Sequence, residues 1–277
     1  VIQGISGARI KIARADEHIN QLKNADREFF DSYPPPFELV EEDDPKTGDL
    51  VFIAKVVREP QMRLGAIFAD AAHNLRCALD FLYLAILHPA GAPISNRGNN
   101  FRWFDDAEHL RKACEGLKKS APAPLVDVLH ALKPYPGGND SLKRLIDTDD
   151  SNKHFGVVPS IAAARNSTAK YIKIEVDPIT GQDLLIPVIE RLISGGPAAI
   201  PIYEGAVFHR IPAADRPTTK VDMHPQPARC IVFTQPGVFE REGIELLFGW
   251  RRRVLTFTND LQTAMLDLKP GTRGAPT

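Results

Sequence analysis

Near the N-terminus the apolar positions recur at helical spacing. Ala8, Ile12, Ala15, Ile19 and Leu22 follow one another at steps of four and three, so they form one stripe of a helix predicted over Gly7–Phe30. Pro34-Pro35-Pro36 ends it, since proline lacks an amide donor and disfavours helix in the residue before it. Strands are predicted at Phe37–Glu41 and Leu50–Arg58, and the turn-rich run Asp43–Asp49 between them reads as a hairpin. From Met62 to His88 the chain becomes an apolar helix that carries a polar island of Asp70, His73, Asn74, Arg76 and Asp80.

Shorter helices are predicted from Asp105 or Asp106 to Lys118, from Pro122 to Leu132, and from Asn139 or Asp140 through Ile146. Asp147–Asn152 is expected to loosen the last of these into a turn at Asn152-Lys153-His154. After Phe155 the period shortens to two. Tyr171–Val176 alternates as a half-buried strand, a turn follows at Asp177–Gly181, and further strands are expected at Leu184–Ile189, Ala206–Ile211, Thr219–Met223 and Arg229–Thr234. Prolines at 187, 201, 212, 217, 225 and 227 place edges, bulges and loops among them. A last helix over Glu242–Leu268 aligns Leu247, Trp250, Val254, Phe257, Leu261 and Leu268 on one face.

The fold class that follows is α+β: an N-terminal helical half with an inserted β-hairpin, an irregular antiparallel β half and a closing C-terminal helix. The expected division is a mainly helical subdomain over 1–155, with the hairpin near 37–58, and a β-rich subdomain over 156–277. The helix at about 242–268 is expected to pack back on the helical half.

Composition narrows the function classes. The chain has 277 residues, 43% of them hydrophobic and 25% charged, as in ordinary globular proteins. A formal charge of -1 provides no general attraction to nucleic acid. Cys77, Cys114 and Cys230 are an odd, scattered set without a C-x-x-C pair, which suits a reducing, cytoplasmic setting better than a disulfide framework or a cysteine zinc site. No basic and then apolar leader opens the sequence, and the long apolar helix carries ionisable groups along its middle, so neither a signal peptide nor a membrane anchor is expected.

The polar island admits two readings. In one, Arg76 pairs with Asp80 and Asp70 supports His73, a packing network within a single helix. In the other, His73 carries protons and Arg76 grips an anion. A second imidazole and cation join only if Asn152-Lys153-His154 arrives beside His73. His73 and His154 would then be acid and base, with Arg76, Lys153, Asn74, Asn152, Asp70 and Asp80 completing the ligand-binding set. A metal site from His18, Asp70, His73 and His154 lacks any supporting spacing, so neither a metal nor a cofactor is expected. Arg251-Arg252-Arg253 reads as a solvated face. There is no phosphate loop and no Gly-x-Ser-x-Gly elbow.

The string His73-Asn74-Leu75-Arg76-x-x-Leu79-Asp80 and the downstream Asn152-Lys153-His154 resemble an uncharacterised family of bacterial proteins. There an H-N-L-R-S-A-L-D-H helix precedes an N-D-K-H-R-like turn and a β-rich second half. The chain departs from that pattern at Phe81, Ser151 and Phe155. The resemblance implies that the two clusters belong together, and it implies no reaction. The Arg–His motif of helical HEPN-type ribonucleases is absent, because Arg144 and His154 lie too far apart. The expected function is therefore a non-catalytic binding or interaction protein with a polar pocket or buried network at His73 and Arg76. Its partner would be a small anionic ligand or a protein. The alternative is a metal-independent phosphodiesterase or ribonuclease using His73 and His154.

Overall fold

A computed structural model describes residues 2–88, 100–155, 160–165, 168–176, 179–191, 200–214, 219–221, 228–233 and 243–268. Their elements run α1 (Ile2–Phe30), β1 (Phe37–Asp43), β2 (Leu50–Val56), α2 (Met62–Leu87), α3 (Ala107–Leu117), α4 (Ala123–Leu132) and α5 (Asp140–Phe155). Then follow β3 (Ser160–Arg165), β4 (Thr168–Val176), β5 (Asp183–Arg191), β6 (Ile200–Pro201), β7 (Val207–Ile211), β8 (Thr219–Val221), β9 (Ala228–Phe233) and α6 (Gly243–Leu266). Helices and short antiparallel sheets, with a helix closing the chain, make the fold α+β.

The chain divides into two units. The first comprises residues 1–23, 65–158 and 244–277, and the second residues 24–64 and 159–243. The helical unit is built on the stripe that the periodicity marks on α1: Ala8, Ile12, Ala15, Ile19 and Leu22 are all buried. Leu75, Leu79, Leu82 and Ile86 of α2 are fully buried in its core, as are Leu247, Val254 and Leu261 of α6. Phe68 and Trp250 join α2 to α6 with ring centroids 6.0 Å apart. Each such large side chain contributes about 1.5–3 kcal/mol through burial. Arg251, the first of the arginine run, makes a two-point ion pair with Asp16 of α1. Glycine sets how closely α1 meets α2. A Cβ at Gly4 would lie 2.7 Å from the Ala85 Cβ and 3.0 Å from the Phe81 carbonyl oxygen, and one at Gly7 would lie 2.7 Å from the Phe81 ring.

Among the described residues of the second unit, three small antiparallel sheets have strand orders β1-β2-β7, β6-β3-β9 and β5-β4-β8. The hairpin forms as expected, in continuous register from Phe37↔Val56 to Asp43↔Leu50. Its partner, however, is β7, so it belongs with the sheets and not with the helices. Pro187 and Pro201 lie on the edge strands β5 and β6, the position in a sheet where proline is tolerated. Arg210 of β7 clamps the hairpin loop, donating to Asp44 and Asp49 at 2.7 Å each. Those half-buried carboxyls are held below the usual range, Asp44 chiefly by the Lys46 amide and Asp49 chiefly by Arg210.

Two departures from the sequence reading matter. β3 was not expected, yet it is the central strand of its sheet, with Ala163 fully buried beside Cys230 and Val232. And α5 does not loosen after Ile146; it continues to Phe155. Lys143–Asp147 and Asp149–Lys153 ion pairs brace successive turns, and Thr148 and Asp149 are buried rather than turned to solvent. Parts of the expected turn at Asp177–Gly181 and of the strands ending at Met223 and Thr234 lie outside the described residues.

Candidate functional site on the long helix

The polar island of α2 divides in two. In its inner half Arg76, a buried residue, pairs with Asp80 one turn on, as the i,i+4 spacing predicts. Arg76 also donates through Nη2 to the Phe101 carbonyl at 3.0 Å, and the Phe101 amide donates to Asp80 Oδ1 at 2.8 Å. The guanidinium lies 5.8 Å from the centre of the Phe101 ring, which also packs edge-on against Tyr83 and Phe257. Burial pushes the Asp80 carboxyl above its ordinary range, against the downward pull of Arg76 and the Phe101 amide. Arg76 and Asp80 thus spend their hydrogen bonds on pinning residue 101.

The outer half is built differently. His73 Nδ1 lies 2.8 Å from Asp149 Oδ1, a contact between α2 and α5. The Asp149 side chain is wholly buried while that of His73 is 42% exposed. Lys153 donates to the other Asp149 oxygen, Oδ2. A carboxylate oxygen accepts, so Nδ1 is the donor to Asp149 and Nε2 is the ring nitrogen left to other partners. That Nε2 lies 3.4 Å from the Sγ of Cys77, one turn along α2. From α1, the half-buried Lys11 donates to Asn74 Oδ1 at 3.4 Å, and Asn74 donates to the Asp70 carbonyl at 2.8 Å.

Several expectations change here. Asp70 does not support His73: its side chain is exposed, and the carboxylate on the imidazole is Asp149, 76 residues away in sequence. Asn152-Lys153-His154 is the last part of a helix, not a turn. Of that trio Lys153 reaches the site, Asn152 is half-buried on the same helix, and the side chain of His154 lies outside the described residues. His18, buried, has its Nδ1 3.2 Å from Gln21 Oε1 on its own helix. Among the described residues no three His, Cys, Asp or Glu side chains are grouped to hold a metal ion. No helix among them is long and apolar enough to cross a membrane.

Three participants escaped the sequence reading. Cys77 was readable in principle, because it stands one helical turn from His73. Asp149 was readable only as the i-4 partner of Lys153, and Lys11 had no local signal. Comparison with sequence-family profiles, curated proteins and solved structures yields no match.

Proposed function

We propose that the helical unit is a binding module for a small anionic ligand, recognised by His73, Lys11 and Lys153. The observation that carries this reading is a cation left unbalanced among the described residues. Arg76 is matched by Asp80 and Lys153 by Asp149, whereas the half-buried Lys11 is matched by the neutral Asn74 amide. An anion beside His73 would supply the missing counter-charge, with charge-assisted hydrogen bonds of the stronger kind. The buried Asp149 holds two of the three groups, so little ordering is left for the ligand to impose. The scattered cysteines, with no C-x-x-C pair among them, suit a reducing, cytoplasmic compartment.

Titration calorimetry with inorganic phosphate tests the reading. Lys11→Gln and His73→Gln are each expected to weaken binding about tenfold or more, equivalent to about 1.4 kcal/mol. No heat of binding from the unaltered protein, or an affinity that neither substitution changes, sinks it. Phosphodiester cleavage is the second reading, favoured by the Asp149–His73 hydrogen bond, which orients an imidazole as a general base. It further requires an acid, the role expected of His154. Release of nitrophenolate from bis(p-nitrophenyl) phosphate, abolished in both His73→Gln and His154→Gln, would establish it over simple binding.

A further inference from the structure

The outward nitrogen of His73 does not face solvent alone; it meets a thiol. Cys77 Sγ, His73 Nε2, His73 Nδ1 and Asp149 Oδ1 form an unbroken relay with separations of 3.4 Å and 2.8 Å. A nucleophile within hydrogen-bond reach of a base, and a base oriented by a third group, is the arrangement that activates thiols and hydroxyls on unrelated folds. We propose that Cys77, His73 and Asp149 accept an acyl group onto Cys77 from an ester or thioester that carries an anionic group. The anionic group rests on the function proposed above; the thiol chemistry rests on the relay alone.

Several features of the molecule favour this relay over a structural sulfur contact. Cys77 is half-buried, whereas Cys114 and Cys230 are buried. Its imidazole partner is substantially exposed, so a substrate can reach the pair from one side. Lys11 from α1 and Lys153 from α5 act on the thiol as cations, while Asp80 from α2 and Asp149 from α5 act as anions. Burial, the largest influence, raises the thiol above its ordinary range. The thiol therefore holds its proton at rest, and that proton must move during attack.

The steps balance without any redox partner. The Sγ–H proton passes to His73 Nε2 as Sγ bonds to the acyl carbon, giving a tetrahedral oxyanion. Collapse breaks the bond to the leaving oxygen or sulfur, which takes the proton from Nε2. Water then completes the cycle: Nε2 accepts a proton from it, the hydroxide adds to the Cys77 thioester, the carbon–sulfur bond breaks, and the thiolate regains the proton. Throughout, Asp149 is a positioning residue. It fixes the tautomer and stabilises the transient imidazolium.

The whole chain is incubated with p-nitrophenyl acetate and, separately, with the anionic mono-p-nitrophenyl ester of succinic acid. Nitrophenolate release is followed and the modified residue is located by peptide mass mapping. The expected result is an initial burst, an acyl group on Cys77, faster reaction of the succinyl ester, and no burst in Cys77→Ala. His73→Gln, shown to be folded by circular dichroism, is expected to slow acylation of Cys77 about 10²–10⁴-fold. Asp149→Asn is expected to change the shape of the pH profile, whereas a merely structural role would scale the rate equally at every pH. It also supplies the test should His73→Gln not fold. Acylation confined to lysines, or an unchanged Cys77 rate in a folded His73→Gln protein, overturns the proposal. Phosphate binding without Cys77 acylation overturns it and leaves the anion site standing. Acylation that depends on His73 but does not favour the succinyl ester supports the relay and removes the anion site.

Discussion

One helical turn of α2 separates two side-chain pairs that do opposite things. Arg76–Asp80 is local in sequence, largely enclosed and bonded to both backbone groups of Phe101. His73–Asp149 joins distant segments and encloses only its acid, leaving the base half open. Which partner is buried decides the role. When both are enclosed, every hydrogen bond goes into holding the fold; when only the carboxylate is enclosed, it becomes a fixed support on which the base stays available.

That contrast has measurable consequences, the largest of them in stability. Asp80→Ala leaves the buried Arg76 without its counter-charge and is expected to cost about 3–5 kcal/mol in urea denaturation. His73→Ala leaves Asp149 its bond from Lys153 and removes a ring already half in water, so about 1–2 kcal/mol is expected. A cost for His73→Ala as large as that for Asp80→Ala would make the outer cluster a structural pin as well.

A smaller effect should appear with pH. Burial raises the Asp80 carboxyl above its ordinary 3.8, so the folded state holds that proton more tightly than the unfolded chain. Asp80 therefore favours folding less as pH rises from 3.8 through the raised value. Stability measured across that window should fall in the unaltered protein relative to Asp80→Asn. A difference that stays constant with pH would show that Arg76 and the Phe101 amide cancel the effect of burial, and one that rises would show that they outweigh it.

The smallest effect belongs to the hairpin loop, where the sign reverses. Asp44 and Asp49 are half-buried and held below 3.8, so what they contribute is present above that value and lost as acid protonates them in the folded state. Amide hydrogen exchange in β1 and β2 should quicken on acidification beyond its intrinsic pH dependence. Arg210→Gln should remove that excess.

The inner pair was legible in the sequence and the outer one was not, for a physical reason. An i,i+4 pair is fixed by helix geometry as soon as the helix is recognised, and the apolar periodicity of α2 made it recognisable. The His73–Asp149 bond is a product of packing between helices, and no spacing encodes it. Misreading α5 followed from the same limit. Asp147-Thr148-Asp149-Asp150-Ser151-Asn152 has the composition of a chain that leaves a helix, because such side chains compete for backbone hydrogen bonds. Here burial and the Asp149–Lys153 pair override that tendency. β3 escaped because Ile161-Ala162-Ala163-Ala164 is poor in the branched and aromatic residues that mark strands; a tightly covered centre takes small ones.

The glycines of α1 act on the site from a distance. Gly4, Gly7 and Lys11 are spaced by three and then four, so the face of α1 that is shaved to sit against Phe81 and Ala85 also carries the lysine that reaches Asn74. The two missing methyl groups work as a spacer gauge for the ammonium. A chain that widened this gap by a single Cβ would keep every residue of the cluster and still lose the reach of its third cation, so ligand preference could drift through a position that never touches the ligand.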